Sequence, residues 1–214
     1  MHERHTTLLI GTLALLVGCV LGAVLLVPVV RAQDDGETDQ PIVQLQAEGP
    51  LTPAMISYIQ RGLEQAQNAN AEALILQLDT PGGQTDHMQD IITALRESRT
   101  PVVVYVAPRG AAAWSAGTLI VLAGHAAAMA PETGIGAASP VGMDAELPET
   151  AEKKAKAAIL SLVRDLAARR GDEAVEWSVS AVEEAAAASA SEAYELGVVD
   201  FIADDVDDLL AQLD

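Results

Sequence analysis

Residues 73–83, ALILQLDTPGG, decide the fold. Six residues of buried-strand type lead into Asp79, and Pro81-Gly82-Gly83 then breaks the strand into a turn. An amphipathic helix is predicted over residues 85–99, with Met88, Ile91, Ile92 and Leu95 on one face. Residues 101–107, PVVVYVA, form the strongest strand in the chain, and their continuous β-branched run predicts burial on both faces. Strand, helix and strand make a βαβ unit, which implies an α/β fold with a mainly parallel sheet.

Outward from this unit, residues 42–47 alternate apolar and polar as a short strand. Thr52 caps a helix running to residue 67, with Pro53 in its first turn. Residues 115–125 read as a buried helix, and 126–130 as a short strand. Residues 134–141 are small and loop-like; 144–152 are an acidic surface segment. A long helix is predicted over 152–170, with Ile159, Leu162, Val163 and Leu166 inward, and a shorter one over 173–180. Ser189 and Glu192 fit a capping box that opens a helix ending at Leu196 and Gly197, before a final strand over 198–202.

Residues 7–30 carry no charge and are long enough to span a bilayer as a helix. Arg4 and Arg31 flank the run, so charge gives little orientation. Val30-Arg31-Ala32 suits signal cleavage before Gln33, whereas the length of the apolar run suits an uncleaved anchor. A lipidation box at Cys19 is the third reading, although the apolar run continues past it. The expected organisation is a signal or anchor segment at 1–32, an acidic linker at 33–40 and a folded domain at 41–214. All three readings place the domain at the membrane or outside the cytoplasm.

Asp and Glu outnumber Lys and Arg 31 to 12, for a formal net charge of −19. That field opposes nucleic-acid binding, favours solubility in strong salt, and would suit a halophilic host. One cysteine excludes an internal disulfide framework and a cysteine metal cluster. No metal or cofactor is expected.

Three places carry chemistry. Ser115 sits where a loop becomes a helix, so it is either an ordinary N-cap or a nucleophile with the Ala116 N–H facing a developing oxyanion. Gly82-Gly83 is either a plain β-to-α turn or a place where the backbone approaches a ligand, with the Gly83 N–H as second oxyanion donor. Lys153, Lys154 and Lys156 are the only lysines, and they are either a solvated patch or the source of a neutral lysine base. Among the histidines, His2 and His5 precede the apolar run. His125 lies about 15 Å down the helix from Ser115 and reads as a satisfied polar residue. His87, just after the turn, remains an alternative base.

The order of Asp79-Thr-Pro-Gly-Gly, Pro101-Val-Val-Val-Tyr-Val, Gly110-Ala-Ala-Ala-Trp-Ser-Ala-Gly-Thr, Met129-Ala-Pro and Ile135-Gly-Ala-Ala-Ser-Pro-Val resembles the NfeD-family membrane serine proteases, over residues 41–213. That resemblance implies a ClpP-class protease of crotonase-like fold, acting through a Ser–Lys dyad. Its serine maps onto Ser115. Its lysine, ten residues before a basic residue of the long helix, maps from Arg164 onto Lys154, with Lys153 or Lys156 requiring a shifted alignment. Ser139-Pro140 stands where soluble ClpP proteases carry histidine, in keeping with a lysine base.

The resemblance also implies cleavage of hydrophobic segments of stomatin-like membrane proteins, and self-association into a homo-oligomer. Gly82 and Trp114 are then candidate substrate contacts. Trp114 replaces a usually small residue and is expected to narrow the site, and the segment before Lys154 is about two residues short. These departures keep open a catalytically inactive membrane scaffold. An acyl-CoA enzyme with the same oxyanion hole is the other alternative.

Overall fold

The computed structural model describes residues 40–139 and 149–213. The anchor at 1–32, nearly all of the linker and the segment at 140–148 lie outside the described residues. Among those described, no helix is long and apolar enough to cross a membrane.

Five parallel strands form the main sheet, in the order β1 (Ile42–Glu48), β2 (Ala73–Asp79), β3 (Val102–Val106), β5 (Ala126–Met129), β8 (Phe201–Ile202). Helix α1 (Pro53–Asn68) connects β1 to β2, and α2 (Thr85–Glu97) connects β2 to β3. These are the expected βαβ units. The Thr52 hydroxyl caps α1 by accepting from Met55 N–H at 3.2 Å, and Pro53 occupies its first turn. All five residues of β3 are buried, as their β-branched run requires.

Alternation divides the sheet's side chains between two layers. Leu74, Leu76, Leu78, Val102, Val104 and Val106 face the larger core under α1, α2, α3 (Ala116–Ala123), α4 (Glu149–Ala167) and α5 (Asp172–Glu183). Ile75, Val103 and Tyr105 face a smaller one closed by α7 (Val206–Leu213) through Leu209. The Tyr105 hydroxyl donates to the Ala203 carbonyl at 2.7 Å. Burial, reinforced by Asp205, Asp204 and Asp208, pushes its pKa up to about 12.

A second, three-stranded sheet is built from β4 (Ala112–Trp114), β6 (Gly134–Gly136) and β7 (Ala187–Ser189). Its presence corrects the reading of 134–141 as loop. Helix α4 begins at Glu149, so the acidic segment ends sooner than expected, and α7 was not foreseen. Helix α6 (Ala190–Glu195) opens with the expected capping box, in which Ser189 and Glu192 satisfy each other's amides.

Candidate active site

The end of β2 positions everything that follows. The Asp79 carboxylate accepts from Ala112 N–H at 3.0 Å and so fixes the start of β4. Thr80 pairs with β4 in both directions: its N–H donates to the Ala112 carbonyl at 2.7 Å and its carbonyl accepts from Trp114 N–H at 3.0 Å. Its buried hydroxyl accepts from Gly82 N–H at 3.1 Å and folds the turn back. Gly82 then has φ +101°, and its Cα passes so close to the elbow that an added Cβ would lie 2.9 Å from Ser115 Cβ and 3.0 Å from the Trp114 carbonyl. The Asp-Thr of the motif therefore docks the strand that carries the serine, and the first glycine permits the contact.

Ser115 occupies the N-cap position of α3, where its carbonyl accepts from Thr118 N–H at 3.0 Å, but its hydroxyl does not cap the helix. It precedes α3 with φ 53° and ψ −120°, and its side chain makes no capping hydrogen bond. A non-glycine residue in that region stores on the order of 1–3 kcal/mol and persists only where its surroundings hold it. Here Ser115 N–H donates to the Gly136 carbonyl at 2.9 Å. Thr118, fully buried one turn into α3, reaches the Ala113 and Gly136 carbonyls at 3.0 and 2.9 Å with its hydroxyl and accepts from Gly136 N–H at 3.0 Å. Thr80 and Thr118 were missed by sequence reasoning. Their only signal is a threonine in an otherwise apolar context, which does not tell its partner.

Ser115 opens onto a groove of about 580 Å³. Leu51, Met88, Leu119, Ala138 and Ile159 supply apolar walls, and Gly82, Gly83, His87 and Ala116 complete the serine's surroundings. Leu51 N–H donates to the Gly82 carbonyl at 3.0 Å, and Leu51 bridges Gly83 in parallel register. In such a bridge the opposed residue turns its own N–H to the other edge of its strand. The Gly83 N–H thus points away from Leu51, whereas the Gly82 N–H is spent on Thr80. The Ala116 N–H opens α3 and has no intrahelical acceptor. Gly83, Ser115 and Ala116 thus line one apolar groove.

The basic residues are placed less closely. Lys153 and Lys154 lie on the exposed first turns of α4. Lys156 is half-buried and its Nζ donates to the Glu183 carbonyl at 3.3 Å. Helix α4 reaches the groove through Ile159, and no lysine is among the described residues lining it. At 100° per residue, Lys156 lies about 60° and Lys154 about 140° around the helix from Ile159. Trp114 does not line the groove either. A Cβ on Gly134 would lie 2.5 Å from its indole, so the ring is packed over β6 rather than narrowing the site.

His125 is the satisfied residue expected. Its Nδ1 accepts from Val102 N–H at 3.1 Å, although part of the residue is exposed. Partial burial of the ring, then Arg169 and Arg96, lower its pKa. The Arg169 guanidinium donates to the carbonyls of Leu122, Gly124 and His125, tying the end of α3 to the turn after α4. Because the folded pKa is depressed, the unfolded chain takes up a proton first. His125's contribution is complete above about pH 6.5 and is lost as pH falls from there through the folded pKa. Thermal melts from pH 7.5 to 5 are expected to fall more steeply for wild type than for His125→Asn, whose amide oxygen can accept from Val102. Parallel curves would remove His125 as the cause.

The fold and the sequence place the chain among known proteins. The architecture matches ClpP1 from Listeria monocytogenes at TM-score 0.63 and 16% identity, over 77% of this chain and 92% of that one, a likeness of fold alone. The chain belongs to the NfeD1b family, whose N-terminal domain model matches residues 46–214. It is 35% identical over 168 residues to membrane-bound protease PH1510 of Pyrococcus horikoshii, covering 77% of this chain and 38% of that protein. Membrane protein NfeD1b of Bacillus subtilis is 32% identical over 130 residues, covering 61% of this chain and 28% of that protein. The chain thus spans well under half the length of either relative.

A solved 1510-N membrane-bound stomatin-specific protease, a serine-to-alanine mutant, matches at TM-score 0.72 and 32% identity, over 80% of this chain and 83% of that one. A lysine-to-alanine mutant of the same protease, in complex with a substrate peptide, matches at TM-score 0.73 and 32% identity, over 79% and 78%. The homologues' names associate the family with membranes.

Proposed function

We propose that residues 41–214 are a membrane-associated serine endopeptidase domain that cleaves hydrophobic segments of membrane proteins. The observation that carries this reading is Ser115, strained, with a hydroxyl that does not cap its helix, lining an apolar groove. Ser115 Oγ attacks the scissile carbonyl carbon as its proton passes to the neutral amine of Lys154. The Gly83 and Ala116 N–H groups stabilise the oxyanion. Collapse of the tetrahedral adduct breaks the C–N bond, and the Lys154 ammonium gives its proton to the leaving amine. Water, deprotonated by the same lysine, then hydrolyses the acyl-enzyme.

Lys154 takes this role when the start of α4 turns its face toward Ser115, and Lys156 is the competing base. The Leu51, Met88, Leu119 and Ile159 walls favour aliphatic substrate side chains, and the stomatin-specific relative supports a stomatin-like substrate. Residues 1–32 would anchor the domain on the extracytoplasmic side, through the linker at 33–40, as a homo-oligomer. The mechanism uses no metal or cofactor.

The exposure of Lys154 favours a second reading, a catalytically inactive scaffold. No arginine or lysine is among the described groove residues to meet nucleotide phosphates, which counts against an acyl-CoA enzyme. A fluorophosphonate probe separates the first two. The endopeptidase is expected to carry one adduct, on Ser115 by peptide mass mapping, and to cut an apolar peptide. A chain that neither labels nor cuts is the scaffold.

A further inference from the structure

His87 lies on the second residue pair of α2, lines the same groove as Ser115, and is half-buried. Its Nδ1 is 3.0 Å from the Leu51 carbonyl. A carbonyl only accepts, so Nδ1 carries the proton in that bond. In the neutral ring Nε2 is then a lone-pair acceptor, and it has no partner among the described residues. The ring cannot swing away without breaking the Leu51 bond, so the acceptor is held in place.

Apart from Ser115, the other polar side chains of the groove differ. Thr52 is spent on capping α1, and Gln84 and Thr85 are exposed. His87 is thus the oriented polar group among Leu51, Met88, Leu119 and Ile159. Grooves of this kind take affinity from their apolar walls and selectivity from a few fixed polar groups. A site that presents an oriented acceptor penalises a ligand that covers it with hydrocarbon.

We propose that His87 is a specificity-determining residue, whose Nε2 selects a peptide with a hydrogen-bond-donating side chain (hydroxyl, amide or ammonium) at one position of an otherwise apolar segment. This rests on the reading of the groove as a peptide site. It assigns His87 no part in proton transfer.

The probes are fluorescein-labelled decapeptides of Ala, Val and Leu, in which a single Thr is moved through the sequence. Each is paired with a peptide carrying Val, its near-isostere, at that place. Binding is read by anisotropy on the full chain with Ser115→Ala, and hydrolysis is read in parallel on the wild type. At one position the Thr peptide is expected to bind about 3- to 10-fold tighter than its Val partner, the worth of one net hydrogen bond. His87→Leu should bring that ratio to one, and His87→Gln, whose amide oxygen reaches toward the place of Nε2, should restore part of it. On the ¹⁵N-histidine chain, the Thr peptide should move the His87 Nε2 resonance and the Val peptide should not.

Ratios near one at every position, a ratio that survives His87→Leu, a still resonance, or no binding of any probe would each overturn the inference. Peptides that are cut without discrimination sink His87's role and leave the endopeptidase standing. Discriminating binding without cleavage does the reverse.

Discussion

Ser115→Ala is expected to lower peptide turnover by about 10⁴-fold or more, with Tm unchanged or slightly raised. The side chain makes no hydrogen bond to its helix, so the fold loses no cap when the hydroxyl goes. Alanine keeps the same unfavourable φ of 53°, so the strain is conserved. Loss of turnover with an intact melt therefore isolates the nucleophile. Lys154→Met should match it within about tenfold, because serine and base act as one unit and their effects do not add. Lys156→Met should cost far less, chiefly through the contact to Glu183. If the ranking of the two lysines reverses, Lys156 is the base; if neither matters, Lys153→Met is the remaining test, and full turnover in all three variants rejects the dyad. Turnover that survives Ser115→Ala rejects the site altogether.

Gly82→Ala should be nearly as damaging, by a different route. At φ +101° an L-residue costs about 1–2 kcal/mol. The new Cβ would also stand 2.9 Å from Ser115 Cβ, 3.0 Å from the Trp114 carbonyl and 3.2 Å from Ala116 N. Two of those three are backbone atoms that no rotamer change can move, and such overpacking costs about 1–3 kcal/mol more. A loss of about 2–5 kcal/mol is expected, read as a fall in Tm, together with loss of hydrolysis, because the displaced atoms belong to the proposed nucleophile and its proposed oxyanion donor. Gly110→Ala provides the control. It has φ +85° with nothing within 4 Å of the added atom, so it should show the conformational cost alone and full activity. Equal effects at the two glycines would mean that contact with the elbow is unimportant.

The parallel sheet was legible because its signals are local. Residues 73–79 and 102–106 are long enough to show a burial pattern, and Thr52 and Ser189 announce their helices through their own capping bonds. The second sheet was not legible. Its strands are three residues each, Ala-Ala-Trp, Gly-Ile-Gly and Ala-Ala-Ser, too short and too small to alternate. Helix α7 depends on Leu209 finding the far side of the sheet, a tertiary fact.

At the site, Ser115 and Gly82-Gly83 do line one groove, but spacing by itself favoured a cap over a nucleophile. The structure shows no side-chain cap bond, and the unusual angle at Ser115 is held by hydrogen bonds through Gly136 and Thr118, partners that sequence alone does not pair. Trp114 shows the same limit. Its position beside the serine suggested an obstruction, whereas strand geometry sends its ring to Gly134.

The pairing of β6 has a temporal consequence. Gly136 holds Ser115, and Gly136 is itself held against Ala187 of β7, far along the chain. The βαβ core that supports the groove needs only contacts near in sequence and can form early; the bend at Ser115 waits for one of the most distant pairings in the domain. During synthesis from the N-terminus, the hydroxyl is present long before the backbone that shapes it is complete. If Ser115 is the nucleophile proposed above, the backbone that shapes it is completed with the last strands rather than the first.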